Sequence, residues 1–238
     1  MREPAHQPLL KHYQREPRMT VNATRPQGVD IIIPTLNRRD LLERAVTSVR
    51  NQTHEFVSLF VVDQGSTDGT QEFLTEANIA WCTELRLGAG YARATGLENT
   101  ASQYVLFLDS DDWLAEDAVE ILLDEISSRP LNIVFGQAVQ IDISSEDERE
   151  RGTIGPAPLT STTLISRDSF KTVPGIEGDN FSFPQWVIRA RHSGLSESAI
   201  QRPIAFRGLH KGNVSRQTGA TKGLFDMVRA HRELAEGR

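Results

Sequence analysis

Three aspartates follow a short apolar stretch near the middle of the chain. Tyr104 to Phe107 is rich in strand-forming residues, and Leu108-Asp109-Ser110-Asp111-Asp112 comes directly after it. Like charges gathered at the end of a buried strand are costly unless a cation binds there. Carboxylate oxygen is the ligand that Mg²⁺ and Mn²⁺ prefer, and these ions often complete their shell with substrate phosphates. The motif therefore indicates a divalent metal and a phosphorylated or nucleotide substrate.

The same residues also fit a purely structural role. An acidic surface turn often precedes a helix, and Asp112 or a neighbour would then be the helix N-cap. Short acidic motifs have many false positives. The rest of the chain has to decide between the two interpretations.

Composition restricts the class of protein. The 238 residues suit one large α/β domain, or one and a half by the length prior, with 38% hydrophobic and 24% charged residues. No apolar run approaches the ~20 residues that span a bilayer. Cys82 is the only cysteine, so an intramolecular disulfide and a cysteine metal site are excluded, and we expect a reducing cytoplasm. The net charge of −6 argues against a general nucleic-acid binder.

The two ends of the chain differ in character. Residues 1–27 are polar, contain four prolines and have no signal-peptide stretch, so we expect a disordered leader. Residues 200–238 hold eight Lys or Arg against three acids. Such a basic segment would line an anionic substrate or touch an acidic membrane surface as a peripheral contact, and a solvated helix face explains it equally well. A dimer through the last helix, predicted over 224–234, is also left open.

The first half alternates strands with helices. Strands are predicted over 29–33, 57–62, 79–83 and 104–107, and helices after Asp40 and over 71–77, 89–99 and 115–127. This rhythm predicts a mainly parallel sheet flanked by helices. Ligands of such sheets bind outside the carboxyl ends of the strands, where the polar turns 34–38, 63–68 and 109–112 would meet.

The rhythm changes after residue 130. Strands over 132–143 and 162–166, an exposed acidic loop over 144–151 and a helix over 184–192 predict a smaller, mixed-sheet half. We therefore expect one compact domain with a first half over 28–130 and a second half over 131–238, which includes the predicted C-terminal helix.

Five segments in order carry a family resemblance. The chain resembles the family 2 glycosyltransferases, which have the Rossmann-like GT-A fold, well over residues 29–125 and more loosely over 160–216. The segments are Ile31 to Arg38, Ser48 to Thr53, Val61 to Asp68, Ala92-Arg93 with Gly96, and Leu108 to Asp112. Five signatures in family order are far more specific than any one of them.

The resemblance implies a nucleotide-sugar-binding half over 28–130, an acceptor-binding half over 131–238 and several donor-binding residues. Pro34, Thr35 and Asn37 would line the nucleotide pocket after the first strand. Asp63 would accept hydrogen bonds from the base or the ribose hydroxyls, for which a carboxylate is suited. Arg93 would lie near the base or the diphosphate, the alternative being an ordinary ion pair on the helix surface.

The acidic motif corresponds to the DxD motif of the family. Asp111 would be the direct ligand of Mn²⁺ or Mg²⁺, and Asp109 would contact the ribose or reach the metal through water. Ser110 between them is counted with the donor-binding residues, and Asp112 is either a third ligand or a helix cap. His210 would complete the metal shell or meet the diphosphate, for which a neutral imidazole is suited.

The second half would supply the chemistry and the acceptor contacts. The resemblance implies a general base, for which we prefer Asp179 and keep Glu177 as the alternative, although a turn that only bends the chain is a competing interpretation. Phe181, Phe183 and Trp186 are candidates for stacking against an acceptor, but such aromatics more often belong to the core.

The implied reaction is inverting transfer of one sugar from a UDP-, GDP- or dTDP-sugar to a hydroxyl acceptor by a hexosyltransferase-type, non-processive enzyme. The chain departs from the family at Gln64, Arg86 and Ala94, which leaves open the identity of the nucleotide base and the geometry of the donor. It also lacks the QxxRW signature of processive relatives. A haloacid-type phosphatase would leave the early turns without a role. A sugar nucleotidylyltransferase would have a glycine-rich, basic loop after the first strand, where this chain has Pro34 to Asn37 without glycine. The remaining alternative is a catalytically silent sugar-nucleotide-binding or scaffold protein.

Overall fold

The computed structural model describes residues 27–145, 147–179 and 181–212. Its strands are β1 (Val29–Thr35), β2 (Val57–Asp63), β3 (Ala80–Thr83), β4 (Tyr104–Phe107), β5 (Asp112–Leu114), β6 (Ile133–Asp142), β7 (Arg149–Ile154), β8 (Thr163–Ser166) and β9 (Glu197–Leu209). Its helices are α1 (Arg39–Arg50), α2 (Thr70–Glu76), α3 (Ala89–Glu98), α4 (Ala118–Ser128), α5 (Asp168–Thr172) and α6 (Ser182–His192), and a short 3-10 turn spans Thr160–Thr162.

All nine strands belong to one sheet with the order β3-β2-β1-β4-β8-β6-β9-β5, and β7 pairs with β6. The strands β3, β2, β1 and β4 run parallel to one another. Beyond them β8 is antiparallel to both β4 and β6, while β9 is parallel to β6 and antiparallel to β5. The predicted α/β class, with a mainly parallel first part and a mixed second part, is therefore confirmed.

Helices cover both faces of the sheet because the central strands are apolar on both sides. Ile31 and Ile33 of β1 face a core shared with α1, α2 and α4. Ile32, between them, faces a second core shared with α3 and α6. Alternating side chains of a strand point to opposite faces, so an uninterrupted apolar run indicates a strand buried on both sides.

The second half differs in detail from its prediction. The strands predicted over 132–143 and 162–166 are present as β6 and β8, but α5 and the strands β7 and β9 were not predicted, and neither was β5 in the first half. The acidic segment 144–151 was predicted to be an exposed loop, and this is wrong at its end, because β7 already begins at Arg149. The predicted helix over 224–234 and all of the predicted leader except Gln27 lie outside the described residues. Within the described ranges, no helix is long and apolar enough to cross a membrane.

Arg167 joins several elements at the end of the sheet opposite to the polar turns. Its guanidinium donates hydrogen bonds to Asp30 Oδ2 at 2.6 Å, to the Leu97 carbonyl at 2.9 Å and to the Ser102 carbonyl at 2.6 Å. Asp30 is only 3% exposed and also accepts hydrogen bonds from the backbone and side chain of Ser102. The ion pair thus connects β1, the loop before β4 and the segment that follows β8.

We expect Arg167→Met to lower the free energy of unfolding by about 3 kcal/mol, because the variant leaves the carboxylate of Asp30 buried without its cation. Urea unfolding of the variant and the parent measures the difference. The control is Arg191→Met, which removes an exposed pair with Glu197 and should change stability little. Equal effects of the two substitutions would contradict a structural role for the buried pair.

Candidate functional site

A cleft of about 470 Å³ opens at the carboxyl ends of β1, β2 and β4, the edge at which the sequence places its polar turns. Side chains from both predicted halves line it. They are Pro34, Thr35, Leu36, Arg38, Gln64, Leu87, Gly88, Ala89, Arg93, Asp109, Ser110, Asp111, Asp112, Phe181, Pro184 and Arg207. Six of these residues are arginines or aspartates, so the cleft brings opposite charges together.

The turns after β1 and β2 are held to each other by hydrogen bonds. Asn37 accepts a hydrogen bond from the Thr67 backbone at 2.8 Å and donates its own backbone N–H to Ser66 Oγ at 2.8 Å. Asp68 accepts the backbone N–H of Arg39, at the start of α1, at 3.0 Å. The side chain of Asn37, predicted to line the nucleotide pocket, is thus engaged with the neighbouring turn beside the cleft.

The side chain of Asp63 is buried within its own turn. It is 0% exposed and accepts hydrogen bonds from the Ser66 backbone at 3.1 Å and from Gln71 Nε2 at 2.7 Å. The residue beside it, Gln64, lines the cleft and donates to the carbonyls of Arg86 and Gly88. A direct contact between Asp63 and a ligand would require this turn to rearrange.

The connection between β3 and α3 forms one wall of the cleft. Hydrogen bonds from the side chain and backbone of Arg86 lower the pKa of Glu84 to about 2, so this pair persists throughout the physiological pH range. Leu87 of the same connection lines the cleft and is 70% exposed. The Glu84–Arg86 pair and the hydrogen bonds from Gln64 hold this connection in place, with the apolar side chain of Leu87 in the lining of the cleft.

Arg93 is a buried cation with unused hydrogen-bond donors. It is 3% exposed, and its Nη2 donates to Asp109 Oδ1 at 2.9 Å. Its Nε and Nη1 atoms are buried and have no hydrogen-bond partner. The helix-surface alternative is therefore wrong in one respect, because the ion pair exists but is not on the surface. Unsatisfied buried donors on a cation at the wall of a cleft are suited to an anionic ligand.

The Thr160–Thr162 turn holds the acidic motif from the second half of the chain. Thr160 Oγ1 donates to Asp109 Oδ2 at 2.7 Å. Ser161 Oγ donates to Asp112 Oδ2 at 2.6 Å and accepts the backbone N–H of Asp109 at 3.2 Å. Sequence reasoning did not find these residues, and their only signal was a run of hydroxyl side chains over 160–163.

Asp112 is an interior carboxyl group at the start of β5. Burial raises its pKa well above the usual range, and the charges of Asp109 and Asp111 add to this effect. It accepts hydrogen bonds from Ser161 and from the Gly208 backbone at 3.2 Å. The helix-cap alternative for Asp112 is wrong, because α4 begins only at Ala118.

Asp111 receives two side chains on one oxygen. Its Oδ2 lies 3.0 Å from Arg38 Nη1 and 3.1 Å from His210 Nε2. The backbone N–H of Gly212 donates to His210 Nδ1 at 3.1 Å, which makes Nδ1 the acceptor and places the proton on Nε2. The structure thus brings His210 to Asp111, the predicted metal ligand, in a tautomer whose Nε2 donates to the carboxylate and has no lone pair for a metal ion.

Two close backbone approaches bring the segment 176–179 against the start of α3. A Cβ atom on Gly88 would lie 2.5 Å from the Gly178 carbonyl, and one on Gly90 would lie 2.7 Å from the Ile176 carbonyl. Only glycine fits such contacts. Asp179 follows in this segment, and its Oδ1 accepts the backbone N–H of Phe181 at 2.8 Å.

Neither of the two predicted general bases lines the cleft. Among the described residues, Gly88 and Phe181 beside Asp179 line the cleft, but Asp179 and Glu177 do not. Glu177 lies near Arg189. Burial lowers the pKa of Arg189, and the negative charge of Glu177 opposes part of this shift. Of the three predicted aromatics, Phe183 and Trp186 belong to the core, and Phe181 alone reaches the cleft.

The carboxylates of the cleft provide the kind of oxygen ligand that a divalent cation prefers. Within the described ranges, no group of three or more His, Cys, Asp and Glu is arranged to hold a metal ion. Mg²⁺, however, is commonly bound by one or two carboxylates together with substrate phosphates, and Mn²⁺ accepts the same oxygen ligands. Asp109 and Asp111 supply that number of hard oxygen ligands next to the cationic Arg93.

Solved structures place the chain in the GT-A class of α/β proteins. TarS from S. aureus in complex with UDP-GlcNAc superposes with a TM-score of 0.71 at 15% identity, over 87% of this chain and 66% of that chain. Glucosyl-3-phosphoglycerate synthase from Mycobacterium tuberculosis, in complex with Mn²⁺, UDP and glucosyl-3-phosphoglycerate, has a TM-score of 0.61 at 17% identity, over 88% of this chain and 78% of that chain. At these identities the likeness shows the fold.

The family follows from the sequence comparison. The model of glycosyl transferase family 2 matches residues 30–191, so the chain belongs to this family. The putative teichuronic acid biosynthesis glycosyltransferase TuaG of Bacillus subtilis is 36% identical over 114 residues, which cover 45% of each chain. The glycosyltransferase GlyA of Streptococcus pneumoniae is 34% identical over 113 residues, 45% of this chain and 16% of GlyA. The matches thus span less than half of either relative.

We expect Ser161→Ala to lower the free energy of unfolding by about 1 to 3 kcal/mol, because the buried carboxyl of Asp112 loses the hydroxyl bonded to it. Chemical denaturation measures the change. The matched control is Ser144→Ala, which removes a serine-aspartate hydrogen bond on the surface, to Asp142, and should have little effect. A Ser161→Ala variant as stable as the control would show that the turn does not support the acidic motif.

Proposed function

We propose that the protein transfers one sugar from a nucleotide-diphosphate sugar to a hydroxyl acceptor, with inversion at the anomeric carbon and with the help of a divalent cation. The observation that carries this proposal is Arg93, a buried cation that pairs with Asp109 and keeps two N–H groups without partners. A diphosphate in the cleft would satisfy them with charge-assisted hydrogen bonds. Family membership supports the reaction class.

We infer that the donor nucleotide occupies the part of the cleft near β1. Pro34 and Thr35 form its wall, and Thr35 Oγ1 is buried without a hydrogen-bond partner. Ser110 lies on the same wall, between the two aspartates of the motif. Among UDP, GDP and dTDP we favour UDP, because TarS and the glucosyl-3-phosphoglycerate synthase were both solved with it.

Asp109 and Asp111 would hold the Mn²⁺ or Mg²⁺, and the Mn²⁺ in the mycobacterial synthase supports this choice. When bound, the cation offsets the charge that develops on the departing diphosphate. Arg93 stabilises the same charge through its unused donors, and such preorganised donors are worth more in a cleft than in water. Thr160 keeps Asp109 in position through its hydroxyl.

We further propose Asp179 as the general base. It would take the proton of the acceptor hydroxyl while the oxygen attacks the anomeric carbon and the bond to the diphosphate breaks on the opposite face of the sugar. The backbone contact with Gly88 keeps Asp179 next to the cleft wall. Glu177 remains the alternative. Because the chain lacks the QxxRW signature, we infer one sugar per encounter.

One observation favours a second candidate, a catalytically silent sugar-nucleotide-binding protein. Asp179 does not line the cleft, and one of its oxygens is used by the Phe181 backbone. UDP binding in the presence of Mn²⁺, without any hydrolysis of UDP-sugars by water or transfer of the sugar to an added hydroxyl acceptor, would support this candidate and contradict the transferase.

We expect Asp179→Asn to lower the rate at which UDP-GlcNAc or UDP-glucose is hydrolysed to UDP and free sugar, with water as the acceptor, by about 10² to 10⁴, the usual contribution of a general base. UDP affinity should not change, because the substitution keeps the hydrogen bond to Phe181 and leaves the donor wall intact. A coupled assay of UDP and calorimetry measure the two quantities. The paired variant Glu177→Gln should keep most of the rate, and a loss in that variant alone would reassign the base.

A further inference from the structure

Arg38 forms an ion pair with Asp111, the carboxylate that is expected to bind a divalent cation. Its guanidinium Nη1 lies 3.0 Å from Asp111 Oδ2, and its Nη2 donates to the Gly212 carbonyl at 3.3 Å. The side chains are 24% and 10% exposed, so the pair is only partly screened by water. Arg38 also lines the cleft, yet sequence reasoning gave it no role.

The position of Arg38 creates a conflict of charge. A divalent cation on Asp111 would come close to the guanidinium, and like charges at such a distance repel strongly near a protein surface. His210 already donates to the same oxygen, so Asp111 Oδ2 has two protein partners. The cation therefore has to compete with groups of the protein for this carboxylate.

A diphosphate resolves the conflict. It offers Arg38 an alternative partner, because guanidinium groups bind phosphate oxygens well, often in a bidentate manner. We propose that Arg38 is a displaceable counterion of Asp111, which moves from this carboxylate to the donor's diphosphate when nucleotide and cation bind together. The inference rests on the proposed function and adds to it a coupling between the binding of the nucleotide and the binding of the cation.

The backbone position of Arg38 allows such a movement. The residue precedes the first turn of α1, with φ of −141°, and is not part of the helix. The next residue, Arg39, differs in this respect, because its side chain pairs with Asp40 and Glu43 and lies over the ring of Phe73. Arg39 does not line the cleft, and it therefore offers a matched control with the same loss of charge.

Displacement has a thermodynamic consequence. If binding of a nucleotide removes the competing guanidinium, it tightens cation binding, and the cation must tighten nucleotide binding by the same factor. A positioned arginine that simply stays on Asp111 produces no such coupling through this residue. The two possibilities differ most clearly in the affinity for the cation alone.

The experiment titrates Mn²⁺ into the protein, alone and with saturating UDP, while electron paramagnetic resonance counts the free ion. Four proteins are compared, the parent, Arg38→Met, Arg39→Met and Asp111→Ala. Without nucleotide we expect Arg38→Met to bind Mn²⁺ about five- to tenfold more tightly than the parent, the size of a partly buried ion pair. With UDP present, its gain in Mn²⁺ affinity should be smaller than that of the parent. Arg39→Met should behave as the parent does.

The outcomes separate this inference from the proposed function. Unchanged or weaker Mn²⁺ binding by Arg38→Met without nucleotide would overturn the role of Arg38. The proposed function would still stand if Asp111→Ala binds Mn²⁺ more weakly than the parent. If Asp111→Ala binds Mn²⁺ as tightly as the parent, with and without UDP, both the role of Arg38 and the proposed function would be overturned.

Discussion

The arrangement of this protein depends on the neutralisation of three aspartates within four residues. Each carboxylate has its own partners. Asp109 contacts Arg93 and Thr160, Asp111 contacts Arg38 and His210, and Asp112 contacts Ser161 and Gly208. Without these contacts the negative charges at the end of β4 would repel one another in a partly desolvated cleft. The fold therefore has to bring distant segments to one strand end.

The mixed part of the sheet accomplishes this. Because β8 lies between β4 and β6, the Thr160–Thr162 turn before it reaches the acidic motif. Because β9 pairs with β5, Gly208 and the residues after it lie beside Asp112 and Asp111. The second half of the chain, which the sequence suggests for the acceptor, thus also orients the carboxylates proposed to bind the donor and its cation.

The first half could be predicted because each strand and helix carries a strong local pattern. β4 is an uninterrupted apolar run, β1 contains the run Ile31 to Ile33, and α1 shows helical spacing. The later strands lack such patterns. β5 has only three residues, the side chains of β7 are almost all exposed, and β9 contains Pro203, which argues against a strand. Tertiary pairing with β6 determines the last two.

The candidate site was predictable in its location more than in its contacts. Polar turns after parallel strands place Pro34 and the acidic motif at one edge, and the cleft lies there, with Arg93 of α3 in its lining. Which member of a pair turns toward the cleft depends on local hydrogen bonds. Asp63 bonds within its own turn while Gln64 faces the cleft, and no spacing in the sequence distinguishes them. The contact of Ser161 with Asp112 bridges 49 positions, which local patterns do not encode.

The most direct test of the central claim is thermal unfolding with UDP in the presence and absence of Mn²⁺, for the parent and for Asp111→Ala. A ligand at 100 times its dissociation constant adds about 2.7 kcal/mol to the stability of the state that binds it. The account predicts a rise in the unfolding temperature of the parent that requires both UDP and Mn²⁺ and is lost in Asp111→Ala. A rise with UDP that is equal with and without Mn²⁺, or that persists in Asp111→Ala, would contradict it.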